Sequence, residues 1–186
     1  MKKLAAIFVL FSLLTGCVLQ NREMDRFLAH RAKLLLSNGC SFEAMITADY
    51  GKEYYQFALS CVSDAKGNLS FTVREPETIT GITGQISSEG GKLTFDDKAL
   101  AFELLADGQL SPISAPWVLL KTLRGGYVDA TGMDGEYLRA TVHDSYRDDA
   151  LELDIWLDAH DVPIRAEIMY ADRRILSIEV KNLEFL

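Results

Sequence analysis

The chain is short of the residues that usually announce chemistry. Three histidines, three cysteines and four prolines are spread over 186 residues. There is no Gly-x-Ser-x-Gly elbow, no His-Glu-x-x-His pair and no Cys-x-x-Cys site. The common hydrolase, zinc-protease and zinc-ribbon signatures are therefore missing. Gly81-Ile82-Thr83-Gly84 is not a dinucleotide fingerprint. His30, His143 and His160 are scattered, and they read as surface residues because a site needs converging groups. Asp144, Asp148 and Asp149 lack the ligand spacing and the glycine of a calcium loop, so they read as a solvated turn. The expectation is a non-enzymatic chain with no cofactor and no metal. Basic charge is also scarce. Lys and Arg number 19 against 27 Asp and Glu, a net charge of -8, which makes nucleic acid a poor partner. The scarcity of proline excludes a proline-rich stalk. A content of 48% hydrophobic and 25% charged residues excludes a disordered chain.

Long apolar runs are absent but for one. Leu4 to Leu14 is apolar except for Ser12 and follows Met1-Lys2-Lys3. Its 11 residues fall well short of the ~20 that a spanning helix needs, so it reads as a signal peptide. Leu14-Thr15-Gly16-Cys17 follows at once. This resembles the lipobox of exported bacterial lipoproteins, in which the Cys thiol is lipidated and the signal is cut just before it. Residues 1–16 would be removed, taking Lys2 and Lys3 and leaving 170 residues of net charge -10. So acidic a chain is not held to anionic lipid by charge. Acyl chains on Cys17 would hold it, at ~0.8 kcal/mol per buried CH2. The expected organisation is signal 1–16, lipidated Cys and tether 17–22, and one domain over 23–186, a length that supports a single core.

The remaining cysteines, Cys40 and Cys61, lie in two runs that read as strands, Ser41 to Asp49 and Tyr54 to Asp64, with a turn at Tyr50-Gly51. Folded there, the hairpin sets Cys40 against Cys61, Phe42 against Leu59, Ala44 against Phe57 and Ile46 against Tyr55. All eight share one face, since alternate side chains do. An exported compartment permits a Cys40–Cys61 disulfide; two free buried thiols are the alternative.

Glu23 to Leu36 reads as a helix stopped by Asn38-Gly39. Beyond Cys40 short alternating runs dominate: 68–75, 81–88, 92–96 and 99–105, then 127–133, 136–143, 151–157, 164–170 and 176–181. Pro112 to Leu123 interrupts them. Its run of Trp117, Val118, Leu119, Leu120 and Leu123, closed by Gly125-Gly126, reads as an internal apolar helix. The fold class is mainly β: a strongly curved antiparallel sheet of about eleven strands, large enough to split or close, whose concave side an N-terminal helix and an internal helix can cover.

This order of elements, with the closing stretch Asp161-Val162-Pro163-Ile164-Arg165 and Ile178 to Phe185, resembles the LolA/LolB-like lipoprotein-carrier superfamily. The resemblance implies a half-open barrel with a helical lid over an apolar cavity, and Cys17 aligns the chain with the anchored kind. The expected function is reversible burial of an acyl chain or other hydrophobic ligand, with Trp117, Val118, Leu119, Leu120 and Leu123 as cavity or lid residues. The alternative is a non-enzymatic interaction module for a cell-envelope or cell-wall partner protein, as implied by the similar clostridial germination lipoproteins. Either way the protein is expected outside the cytoplasm, anchored to the cell membrane, or to an outer membrane if the host has one.

Overall fold

The computed structural model describes residues 22–87 and 110–186. Cys17 and the signal lie outside them, as do the expected strands 92–96 and 99–105. The other nine expected strands are present.

Helix α1 spans Arg22–Leu36. Glu23 and Asp25 occupy its first turn and Lys33 its last, so each charge opposes the dipole end it sits on. Phe27, His30 and Leu34 are buried, the three-and-four spacing of one helical face. The chain then enters a meander of β1 (Gly39–Asp49), β2 (Tyr54–Asp64), β3 (Leu69–Glu75) and β4 (Thr83–Ile86). A 3-10 turn at Pro112–Ser114 leads into α2, Ala115–Gly125. A second meander follows: β5 (Tyr127–Asp134), β6 (Tyr137–His143), β7 (Glu152–Leu157), β8 (Pro163–Tyr170) and β9 (Arg173–Phe185).

These strands form one open, curved antiparallel sheet in the order β4-β3-β2-β1-β9-β8-β7-β6-β5. Strand β9 is the seam, pairing with β1 on one side and β8 on the other. One face is largely apolar, with Ser63 on β2 and Thr131 on β5 as polar exceptions. Cys40, Phe42, Ala44 and Ile46 on β1 continue through Phe57, Leu59 and Cys61 on β2 to Leu153, Ile155 and Leu157 on β7 and Ile168, Leu176 and Ile178 on β8 and β9, all buried. Both helices pack on this core, α1 against β5 and β6, and α2 against β6 and β9.

The hairpin carrying the cysteines departs from the expected register. Its connection is Tyr50–Glu53 rather than a tight turn at Tyr50-Gly51. The Gly51 amide donates to Asp49 Oδ1 at 2.6 Å, and the Tyr50 amide to the Glu53 carbonyl at 3.0 Å. The turn centre moves one residue along, so each pairing shifts by two. Cys40 lies opposite Ser63, Phe42 opposite Cys61 and Ile46 opposite Phe57. The face is preserved, because a two-residue shift leaves the alternation intact. The cysteines become diagonal neighbours. Such residues stand about 7–8 Å apart, beyond the about 4.4–6.8 Å that a disulfide spans. Both thiols are free and buried. Cys40 Sγ lies 3.3 Å from the Ser63 hydroxyl, which also accepts from the Cys40 amide at 3.1 Å.

Gly39 makes the entry into β1 possible. Its φ is +137°, and a Cβ there would lie 2.0 Å from the Ser63 carbonyl oxygen. No side chain fits that approach.

Candidate functional site

The five residues expected to line a cavity all lie on α2. Val118, Leu119, Leu120 and Leu123 are buried in the main core, and Trp117 is half-buried against it. Pro116 lies in the first turn, where its missing N–H costs nothing. Trp117 reaches the helix surface, where the Lys121 ammonium lies 5.7 Å from its ring centroid. Lys121 in turn pairs with Asp144 at 3.2 Å. Asp144 also accepts from the Leu151 amide at 2.9 Å, so it closes the loop between β6 and β7.

The helix is fastened at its other end by α1. Arg31 Nε donates to the Leu123 carbonyl at 2.7 Å, and its Nη2 to the Gly126 carbonyl at 2.9 Å. Arg124, on α2, donates through Nη2 to the Ala65 carbonyl at 2.7 Å and through Nη1 to the Leu34 carbonyl at 3.5 Å. Burial lowers the pKa of Arg31. The exit of the helix is tightly packed at Gly126, where a Cβ would meet Val142, His143 and Thr122 atoms at 2.7–2.8 Å.

Two buried polar groups lie on these helices. The Thr122 hydroxyl and His30 Nε2 have no hydrogen-bond partner among the described residues. Contrary to the surface position expected for it, His30 is only 4% exposed, with its ring 6.0 Å from that of Phe185. Desolvation is the main reason its pKa falls to about 4; a hydrogen bond to the Asp161 backbone opposes the fall. The three-and-four spacing of Phe27, His30 and Leu34 is the sequence signal for this burial.

The outer face of the sheet holds a second constellation that the alternation pattern hides. Trp156, on the side of β7 away from the core, is only 6% exposed. Arg139, Trp156 and Arg165 stand side by side in register on β6, β7 and β8. Arg165 lies 4.4 Å and Arg139 5.5 Å from the Trp156 ring centroid. The indole N–H donates to Asp134 at 2.8 Å. Asp154, likewise buried, accepts from Arg139 at 2.5 Å and from the Thr141 hydroxyl at 2.7 Å. Asp154 is also the main reason the Arg139 pKa rises. Beside this stack lies an open groove of about 690 Å³, bordered by Tyr137, Trp156, Ile164, Arg165 and Lys181. Three further grooves, of about 410, 550 and 440 Å³, involve β1–β4. None of these four is lined by the five α2 residues. Among the described residues no three His, Cys, Asp or Glu side chains gather as metal ligands.

At the far end of β5, Tyr127 stands 5.4 Å from Tyr146 and 6.4 Å from His143, ring centre to ring centre. Tyr146 is 88% exposed.

No protein-family model and no curated protein matches the chain. Solved structures do. An uncharacterized conserved protein from Thermus thermophilus aligns over 89% of this chain and 88% of its own, at 12% identity and a TM-score of 0.44. A LolA superfamily protein from Nitrosomonas europaea aligns over 84% and 90%, at 8% identity and 0.39. A putative outer membrane lipoprotein-sorting protein domain from Vibrio parahaemolyticus aligns over 86% and 90%, at 8% and 0.42.

Proposed function

We propose that this protein is a lipid-anchored envelope protein that holds an apolar ligand between its sheet and its two helices. Leu14-Thr15-Gly16-Cys17 supports the anchor. The ligand reading is carried by one observation: among the described residues, a nine-stranded open sheet packs its largely apolar face against two helices. Burying an acyl chain against such a face gains ~25 cal/mol per Å² of apolar surface removed from water, and this drives uptake without chemistry. In this reading Trp117, half-buried at the edge of the core, lines the entrance, with Val118, Leu119, Leu120 and Leu123 behind it.

Native mass spectrometry with lipid extraction, on the chain purified from its host, tests this. Co-purified lipid, and a fluorescent fatty acid bound less well by Trp117→Ala than by the parent, are expected. A parent that carries no lipid and binds no probe would overturn the ligand reading.

The second reading, a docking module for an envelope protein, is favoured by the mutual fastening of α1 and α2 and by the exposed Tyr127–Tyr146 pair. A packed, unyielding interior suits a module whose partner binds outside. It stands if the lipid test fails.

A further inference from the structure

The short tether ahead of α1 has a geometric consequence. We infer that the end of the domain formed by the start of α1 and by the β5–β6 and β7–β8 turns faces the bilayer, and that the Tyr127–Tyr146 end points into the aqueous phase. This inference rests on the lipid-anchor reading of Cys17.

Only Val18, Leu19, Gln20 and Asn21 separate Cys17 from Arg22. Five peptide steps reach at most about 18 Å when fully extended, so Arg22 cannot stand further than that from the lipidated residue. Contacts one helical turn later fix what surrounds it. Arg26 Nε donates to Asp161 Oδ1 at 2.8 Å and its Nη2 to the Asp158 carbonyl at 3.4 Å, both in the β7–β8 turn. Arg26 Nη1 lies 3.9 Å from Met133 Sδ beside the β5–β6 turn. Met133 is half exposed and Tyr137 partly so. The groove beside Trp156 has Asp134, Gly135, Glu136 and Tyr137 on its rim, so it opens at this same end.

The opposite end is set by the length of β5. Seven residue steps from Asp134 back to Tyr127 place the aromatic pair about 23 Å away along the strand. That exceeds the reach of the tether.

Charge does not produce this orientation. Glu23, Asp25, Asp134, Glu136, Asp158, Asp161 and Glu179 outnumber Arg22, Arg26, Arg165 and Lys181 at the bilayer-facing end, and anionic lipid repels such a surface. The tether alone holds it there, and this separates the proposal from a lipid-binding face. A face that bound lipid would keep its orientation on a longer leash, whereas a tethered end would not.

The test uses the full lipidated chain in vesicles of phosphatidylethanolamine and phosphatidylglycerol carrying a headgroup-linked acceptor dye. Single donor dyes are placed at Glu136→Cys and at Asp148→Cys. Cys40 and Cys61 are buried, and burial raises both thiol pKa values, so they stay unlabelled. Energy transfer is expected to be severalfold greater from position 136 than from 148. The difference should collapse when a flexible Gly/Ser segment of about 20 residues is inserted after Cys17. Equal transfer, or more from 148, in the native-length chain would overturn the orientation, and so would a difference that survives the insertion. A chain that fails to float with the vesicles overturns the orientation together with the anchor reading, and the flotation gradient identifies that outcome before any transfer is measured.

Discussion

Arg31 and Arg124 each close the carboxyl end of the other's helix. Arg31 leaves α1 to satisfy carbonyls at the end of α2, and Arg124 leaves α2 to reach the Leu34 carbonyl at the end of α1. Helix ends carry orphan carbonyls and a partial negative charge, so a guanidinium is suited to both needs at once. The pair makes two short helices into one mechanical unit.

Arg31→Met keeps the aliphatic stem and removes the donors. Hydrogen bonds from a charged group contribute about 1.5–3 kcal/mol, and a urea melt should lose stability of that order. Hydrogen exchange should accelerate in the last turns of both helices, with the α2 end affected most. Acceleration confined to α1 would contradict the shared unit.

His30 predicts an acid sensitivity of definite sign. Its folded pKa, about 4, lies below the unfolded value near 6.5. As pH falls, the unfolded chain takes up the proton first. The contribution of neutral His30 is full above pH ~6.5 and is lost progressively towards pH ~4, to a total of about 3 kcal/mol. Below that both states are protonated and this group adds no further loss. His30→Gln should flatten the stability curve across that window in denaturant titrations at a series of pH values.

Gly39→Ala places a Cβ 2.0 Å from the Ser63 carbonyl at a φ of +137°. Either the start of β1 shifts or its pairing with β2 opens. A loss of at least ~2 kcal/mol is expected, since strain and a broken strand end act together. Denaturant melts check it.

The thiols offer a direct count. In the folded domain lacking Cys17, Cys40 and Cys61 should resist a neutral thiol reagent, because burial holds both pKa values up and the neighbouring Cys40 raises that of Cys61 further. Unfolded without reductant, both should react. A bridged hairpin would give no reaction in either state.

How much of this is legible in the sequence depends on the range of the interaction. Strand faces follow from alternation, which is local, so the buried sides of β1, β2, β6, β7 and β9 are readable. The apolar run of α2 likewise announces its burial. Register is not readable, because it turns on whether Asp49 captures the Gly51 amide, a choice that moves every partner while keeping every face. Parity places Trp156 on the wet side, correctly, yet it is buried. The groups that cover it, Arg139 and Arg165, come from neighbouring strands. The Arg31 and Arg124 caps are equally hidden, since each joins residues about ninety positions apart.

The central place of β9 has a consequence for the order in which the sheet forms. Each meander can assemble from hairpins close in sequence, which is quick. The seam cannot: Cys40 pairs with Phe185. Until residues 173–185 are in place, the first meander carries a naked flank along β1, and the second has no β9 to pair β8. Those flanks are templates for another molecule's strand. Solubility during biogenesis therefore rests on how soon the seam zips shut, and substitutions that slow β1–β9 pairing should show as aggregation during refolding before they show as lost equilibrium stability.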